Sequence, residues 1–256
     1  MPVFDRAYLH PCVAHRGWSG KAPENTLAAF RLALAEPAVA WMELDVQLSR
    51  DGVPVVIHDE TLQRTTNGTG RVRDWTAKEL SRLDAGSWFH PDFAGETVPT
   101  LEQVLELAGG RCRLNIELKT EEAESAWCER LARNVTDLLK ARRLERDAVI
   151  TSFDPRCLQA VRKFAPDVRT GLIAGKRKPD LVRFLCALGA SFLSIAFRHL
   201  HPVLLDECAR HDVDVMVWTV NRNADLVRLT AMPESFLVCT NHPDRWLAAV
   251  RKPAGF

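Results

Sequence analysis

Short apolar stretches alternate along the chain with segments whose apolar positions recur every three or four residues, the pattern of strands alternating with amphipathic helices. The strand-like stretches are Cys12–His15, Trp41–Asp45, Arg113–Lys119, Asp147–Thr151, Val168–Ile173, Ser191–Ile195, Val213–Trp218 and Phe236–Cys239, eight in all. Leu27, Phe30 and Leu34 form one helical stripe, and Trp127, Leu131, Val135 and Leu138 another. Leu158 and Val161, then Leu181, Leu185 and Leu188, then Leu226 and Leu229 mark three more. Asp154-Pro155 reads as an N-cap with proline at the first helical position, where a missing N–H breaks no helical bond. Strands joined by crossover helices lie parallel, so this repetition over 256 residues predicts an α/β chain folded as a (β/α)8 TIM barrel.

One stretch breaks the rhythm. Residues 59–100 carry the turn-rich Thr66-Asn67-Gly68-Thr69-Gly70 and a helix opened by a capping box, Thr76-x-x-Glu79, that closes near Gly86. A connection in a β/α unit usually takes about 2–6 residues. This longer one predicts a small insertion on the C-terminal face of the barrel, with Trp88, Phe89 and Phe93 capping a pocket rather than meeting a second subunit. Just before it, Val53–Ile57 reads as a short extra strand ending at His58. Nothing in the sequence marks a linker, a repeat or a low-complexity tract, so residues 1–256 are expected to form a single barrel domain.

Composition narrows the class. With 46% hydrophobic residues and 34 Lys+Arg against 33 Asp+Glu, the chain is a folded protein of net charge +1, and no nucleic-acid partner is expected. The most basic run, Lys176-Arg177-Lys178, is short and has no adjoining aromatic. Stable membrane association is therefore not expected, and the run reads as an attractor for a soluble anionic substrate. Met1–Arg6 lacks the apolar core of a secretory signal and no apolar run approaches a membrane span, which predicts a cytoplasmic location. The seven cysteines are scattered and contain no C-x-x-C pair, so they read as reduced, buried small hydrophobes.

The chemistry lies in the strand alternation. In Trp41-Met42-Glu43-Leu44-Asp45 the two carboxylates share one face, and in Leu114-Asn115-Ile116-Glu117-Leu118-Lys119 the amide, carboxylate and ammonium share another. The apolar partners must face the helices, which turns Glu43, Asp45, Glu117, Asn115 and Lys119 inward. Three carboxylates converging on a dry interior repel one another unless a counter-ion joins them. All-oxygen ligation suits a hard divalent cation, Mg2+ first, with Ca2+ or Mn2+ as alternatives, and argues against zinc. The competing reading is a set of internal salt bridges in which Lys119 and a second base absorb the charge. His15-Arg16-Gly17 ends the first strand and His58-Asp59 ends the extra one. A lone histidine there is most often structural; two beside an inferred metal point to acid–base catalysis. Arg16 and Lys119 supply the fixed positive charge that an anionic phosphoryl group needs, unless Arg16 serves only a salt bridge to Glu24 or to the metal carboxylates.

His15-Arg16-Gly17, Ala22-Pro23-Glu24-Asn25-Thr26, Glu43-Leu44-Asp45, His58-Asp59 and Asn115-x-Glu117-x-Lys119, in this order, resemble the glycerophosphodiester phosphodiesterase family. The resemblance continues through Ser152-Phe153, Val217-Trp218-Thr219-Val220-Asn221 and Thr240-x-x-Pro243-Asp244. It implies metal-dependent hydrolysis of a small glycerophosphodiester to glycerol-3-phosphate and an alcohol. It further implies a divalent metal on Glu43, Asp45 and Glu117, His15 and His58 as the acid–base pair, and Arg16 and Lys119 on the phosphate. Trp218 would line the pocket and pack on the glycerol skeleton, the alternative being an ordinary core tryptophan. Asn25-Thr26 would cap the first helix and Glu24 would support Arg16 or His15. Two positions depart from the family pattern: Asn241 where an aspartate usually follows the threonine, and Ser194-Ile195-Ala196, which offers no evident polar tip. Both are expected to touch only the pocket rim. Lysophospholipase D-type cleavage of an acylated diester and a metal-dependent barrel aldolase or lyase using Lys119 are the rival readings. A binding barrel that has lost activity is disfavoured by the presence of both histidines. Which histidine is acid, and whether water or the glycerol 2-hydroxyl attacks first, is left open.

Overall fold

Eight parallel strands close on themselves in the computed structural model, which describes residues 3–120 and 125–251. They are β1 (Cys12–His15), β2 (Val39–Leu48), β4 (Arg113–Leu118), β5 (Ala148–Ser152), β6 (Arg169–Ala174), β7 (Phe192–Ala196), β8 (Asp214–Trp218) and β9 (Leu237–Thr240). Each pairs with its neighbour in this order, and β1 pairs with both β2 and β9, which shuts the barrel. The expected (β/α)8 architecture is met. Met1 and Pro2, part of the start judged against an export signal, and residues 252–256 at the far end of the expected domain lie outside the described residues.

Alternation along the strands produces two apolar clusters. Met42, Leu44 and Val46 of β2 and Leu114, Ile116 and Leu118 of β4 face outward into the main core beneath the helices. Val13, Trp41, Val149, Phe192, Met216, Leu237 and Cys239 face inward and plug the lower barrel. The helices that cover the outside include α2 (Leu27–Leu34), α5 (Ser125–Arg142), α6 (Pro155–Phe164), α7 (Leu181–Ala187) and α9 (Asn223–Leu229), all five foreseen from their stripes. Asp154 caps α6 as expected, accepting from the Arg156 N–H at 2.9 Å. Also present are α1 (Val3–Leu9), α4 (Leu101–Ala108), α8 (Pro202–Arg210) and α10 (Pro243–Arg251), each of nine residues or fewer. The α1 end is tied to the barrel floor, where the Trp246 indole donates to the His10 carbonyl at 2.9 Å and the Phe236 N–H to the Leu9 carbonyl at 3.0 Å.

The strand β2 runs ten residues, well past the predicted Asp45. Its upper half is prolonged because β3 (Pro54–Val56) folds back on it antiparallel, pairing Val46 with Val56 and Leu48 with Pro54. The extra strand is therefore a flap on one barrel strand, and it delivers His58 to the C-terminal end of the barrel. Residues 59–100 follow as the expected insertion and bury a small cluster of their own around Leu62, Val72, Leu80 and Val98. Within it α3 (Ala77–Leu80) has the predicted Thr76–Glu79 capping box but spans one turn, ending well before Gly86. No helix among the described residues is long and apolar enough to cross a membrane. All seven cysteines are free and five are buried; burial raises the Cys112 thiol to about 11 and the Cys208 thiol to about 12, so these are unreactive.

Candidate active site

The barrel register stacks the charged side chains at the C-terminal ends of neighbouring strands. His15 lies opposite Glu43, Glu43 opposite Asn115, and Asp45 opposite Glu117. Beyond His15 the chain turns sharply: Arg16 and Gly17 have φ of 54° and 75°. A side chain at Gly17 would strike the Ala29 backbone at 2.7 Å, so only glycine lets α2 pack this close to the turn. This turn aims the Arg16 N–H at Glu43 Oε2, 3.0 Å away.

Glu43, Asp45 and Glu117 each bring a carboxylate oxygen within 4.8 Å of the other two. Glu43 and Asp45 are 3% and 1% exposed, so little water screens them. Two cations answer from the side. Arg16 Nε lies 3.2 Å from Asp45 Oδ2, and its Nη1 donates to Glu24 Oε1 at 2.7 Å. Lys119 Nζ donates to Glu117 Oε1 at 2.9 Å and stands 3.9 Å from Asp45 Oδ1. They satisfy only part of the cluster. Burial and the charge of Asp45 push the Glu117 carboxyl up to about 7, and burial with Asp45 and Glu117 pushes Glu43 well above the usual carboxylate range. Asp45 goes the other way: burial opposes its ionisation, but Arg16, His58, Lys119 and the Asn25 amide together hold it low. Asp45 Oδ1 is buried and accepts no hydrogen bond from any described residue. Oxygen donors with this unbalanced charge and an unused buried lone pair fit a hard divalent cation.

Seven of the eight residues named from the sequence, all but Asp45, line one cavity of about 150 Å3. Asp45 lies just behind its wall. Trp218 comes in from the end of β8 and packs against the inward-facing cluster, its indole N–H without a partner among the described residues. Phe153, half exposed, meets it edge-on at 6.0 Å between ring centres.

Each histidine is held at Nδ1. His58 Nδ1 is 2.6 Å from Asp59 Oδ1, and its Nε2 is 3.3 Å from Lys119 Nζ. His15 Nδ1 is 2.7 Å from Asn241 Oδ1, and its Nε2 is 3.8 Å from Glu43 Oε2. With oxygens at both Nδ1 positions, each ring keeps its proton there and leaves Nε2 toward the cavity. Burial, aided by Arg16, lowers the His15 imidazole to about 4.

Four expectations need correction. Asn241 is not a rim residue; it is the partner of His15, so the departure from the usual aspartate gives that histidine a neutral neighbour. Ser194 does supply a polar group, lining the cavity beside Met216. Thr26 caps α2, accepting from the Ala29 N–H, but Asn25, at φ 58°, donates to Asp45 Oδ2 at 2.9 Å. The aromatic cap is also absent: Trp88, Phe89 and Phe93 stack edge-on at 5.7 Å, and none of them lines the cavity. The insertion meets the site through Asp59 and Arg64 instead, next to the His58 that β3 delivers. Asp59 stood next to a named histidine in the sequence; Arg64 gave no signal, because its partners come together only in the fold.

The sequence model of the glycerophosphoryl diester phosphodiesterase family matches residues 15–245. A glycerophosphodiester phosphodiesterase of Caldanaerobacter subterraneus subsp. tengcongensis is 37% identical over 241 residues, 94% of this chain and 97% of that protein. Among solved structures, an Oleispira antarctica phosphodiesterase in complex with the product sn-glycerol-3-phosphate superposes with a TM-score of 0.87 at 29% identity, covering 98% of this chain and 99% of that one. A glycerophosphodiester phosphodiesterase from Agrobacterium tumefaciens gives a TM-score of 0.79 at 32% identity over 93% of this chain and 99% of that one. By sequence across nearly its whole length, and by fold, the chain belongs to the glycerophosphoryl diester phosphodiesterase family.

Proposed function

We propose that the chain hydrolyses small glycerophosphodiesters to glycerol-3-phosphate and an alcohol, with His15 and His58 as the acid–base pair. The observation that carries this reading is the convergence of both histidines, Arg16, Lys119 and the carboxylate cluster on a single cavity. The glycerol-3-phosphate bound by the Oleispira antarctica relative supports the same product class here.

Glu43, Asp45 and Glu117 would hold a divalent cation, which supplies Lewis-acid polarisation of the phosphoryl oxygens. Arg16 and Lys119 bind the remaining phosphate oxygens, and their ion pairs with the carboxylates hold them in place before substrate arrives. One histidine accepts a proton at its free Nε2 from the attacking hydroxyl; the other must enter the step as imidazolium, with protons on both nitrogens, and donates from Nε2 to the departing alcohol. Asp59 and Asn241 fix the rings so that those nitrogens face the reaction. Trp218 offers an apolar wall to the glycerol carbons. With the family assigned, the Schiff-base aldolase reading of Lys119 loses its support.

Trp218→Ala is expected to raise KM far more than it lowers Tm, since the indole faces the cavity and its N–H has no partner among the described residues. Steady-state kinetics beside thermal melts check this; a large Tm loss with unchanged KM would return Trp218 to a core role.

The cavity is lined mainly by charged and polar groups, with Phe153, Ile173, Met216 and Trp218 as its apolar wall, which favours deacylated diesters over phospholipids. Turnover of glycerophosphocholine and glycerophosphoethanolamine should therefore exceed that of lysophospholipid, or of diacyl phospholipid in vesicles. Faster cleavage of the acylated substrates would make the chain a lysophospholipase D-type enzyme instead.

A further inference from the structure

Arg64 lies outside the cavity, yet it joins the two ends of the site. Its Nη1 and Nη2 donate to the two oxygens of Glu24 at 2.9 and 2.8 Å. Its Nε and Nη2 donate to the two oxygens of Asp59 at 2.5 and 3.0 Å. One guanidinium thus grips two carboxylates, each through a pair of N–H groups. Glu24 Oε1 also accepts from Arg16, and Asp59 Oδ1 also contacts His58 Nδ1. The result is a continuous chain, Arg16–Glu24–Arg64–Asp59–His58, that starts on a phosphate-binding arginine and ends on a proton-transferring histidine.

The backbone around Arg64 is pinned for this task. Leu62 before it and Thr65 and Thr66 after it are buried, and the Thr66 hydroxyl donates to the Leu62 carbonyl at 2.7 Å. Between those anchors the Arg64 side chain is 44% exposed, so it contributes little to the core. An exposed ion pair adds little stability on its own. Direction is another matter: a planar fork that satisfies two carboxylates at once fixes where both point, which a lysine ammonium does not do.

We propose that Arg64 is a positioning residue for the reaction: by clamping Asp59 it fixes the His58 ring with Nε2 toward the cavity, and by clamping Glu24 it fixes the reach of Arg16. This rests on the hydrolytic reading above for its kinetic consequence, but its geometric claim can be read without substrate. Arg64→Met should lower kcat by about 10–100-fold, the range seen when outer partners of reactive groups are lost. Most of that loss should pass through Asp59, so Arg64→Met combined with Asp59→Asn should cost little more than Asp59→Asn alone. Arg64→Lys keeps the charge and loses the fork; it should show the kcat loss with Tm unchanged, and it carries the test if the methionine variant does not fold. Imidazole 15N NMR supplies the independent reading. His58 should sit in one tautomer, protonated at Nδ1, in the parent protein and become a mixture in Arg64→Lys. A folded Arg64→Lys protein with parental kcat and an unchanged His58 tautomer would overturn the proposal, as would full additivity with Asp59→Asn. If the parent protein shows no diesterase activity but the tautomer responds as stated, the hydrolytic reading fails and the positioning role stands.

Discussion

His15→Ala and His58→Ala should each lower kcat by about 10²–10⁴-fold, the usual worth of a general acid or base, while the folded structure persists. Neither side chain belongs to an apolar cluster, and the contacts at Nδ1 and Nε2 of each are polar, so its removal leaves the barrel packing in place. The double variant should lose much less than the product of the two single losses, because two groups serving one proton relay fail together. Circular dichroism and steady-state rates on the same preparations check both points. Near-parental turnover in either single variant would make that histidine structural.

The second large effect concerns the carboxylates. Glu43→Gln, Asp45→Asn and Glu117→Gln should each lose divalent-metal affinity, read by calorimetry, and activity should collapse with it. Stability of the metal-free protein should move the opposite way for Glu117. Its carboxyl sits near 7 in the fold against an ordinary 4.5, raised by burial and by Asp45. Between those values the unfolded chain gives up its proton while the folded chain keeps it, so metal-free stability falls as pH rises from about 4.5 to about 7 and levels off above. A glutamine side chain at this position has no such proton to lose. In the presence of chelator, Glu117→Gln should therefore melt a few degrees above the parent at pH 8, and the gap should close as the pH is lowered toward 4.5. The competing salt-bridge reading predicts the reverse at pH 8, since the substitution would then remove a partner of Lys119.

Much of this was legible in the sequence because the barrel obeys a two-residue period. Glu43 and Asp45 could be assigned inward because Met42 and Leu44 had to face the helices, and that argument needs no knowledge of the rest of the chain. Trp218 followed from Met216 in the same way. What stayed hidden depends on contacts between distant segments. Asn241 meets His15 across 226 positions, and Arg64 meets Glu24 across 40. Neither pairing leaves a trace in local pattern. The aromatics of the insertion misled for a related reason: Trp88, Phe89 and Phe93 suggested a lid, but the three rings meet one another edge-on, with Trp88 left exposed. Asn25-Thr26 reads as the cap of the first helix; Thr26 does cap it, but the left-handed turn at Asn25 sends its amide to Asp45.

Metal-dependent hydrolysis can be followed by phosphorus NMR of glycerophosphocholine incubated with the purified protein, first with Mg2+, Mn2+ or Ca2+, then with excess chelator, then with metal restored. The glycerol-3-phosphate signal should replace that of the diester when metal is present, fail to appear with chelator, and return on restoration. Phosphocholine and glycerol as products, or undiminished hydrolysis in excess chelator after dialysis, would contradict this reading.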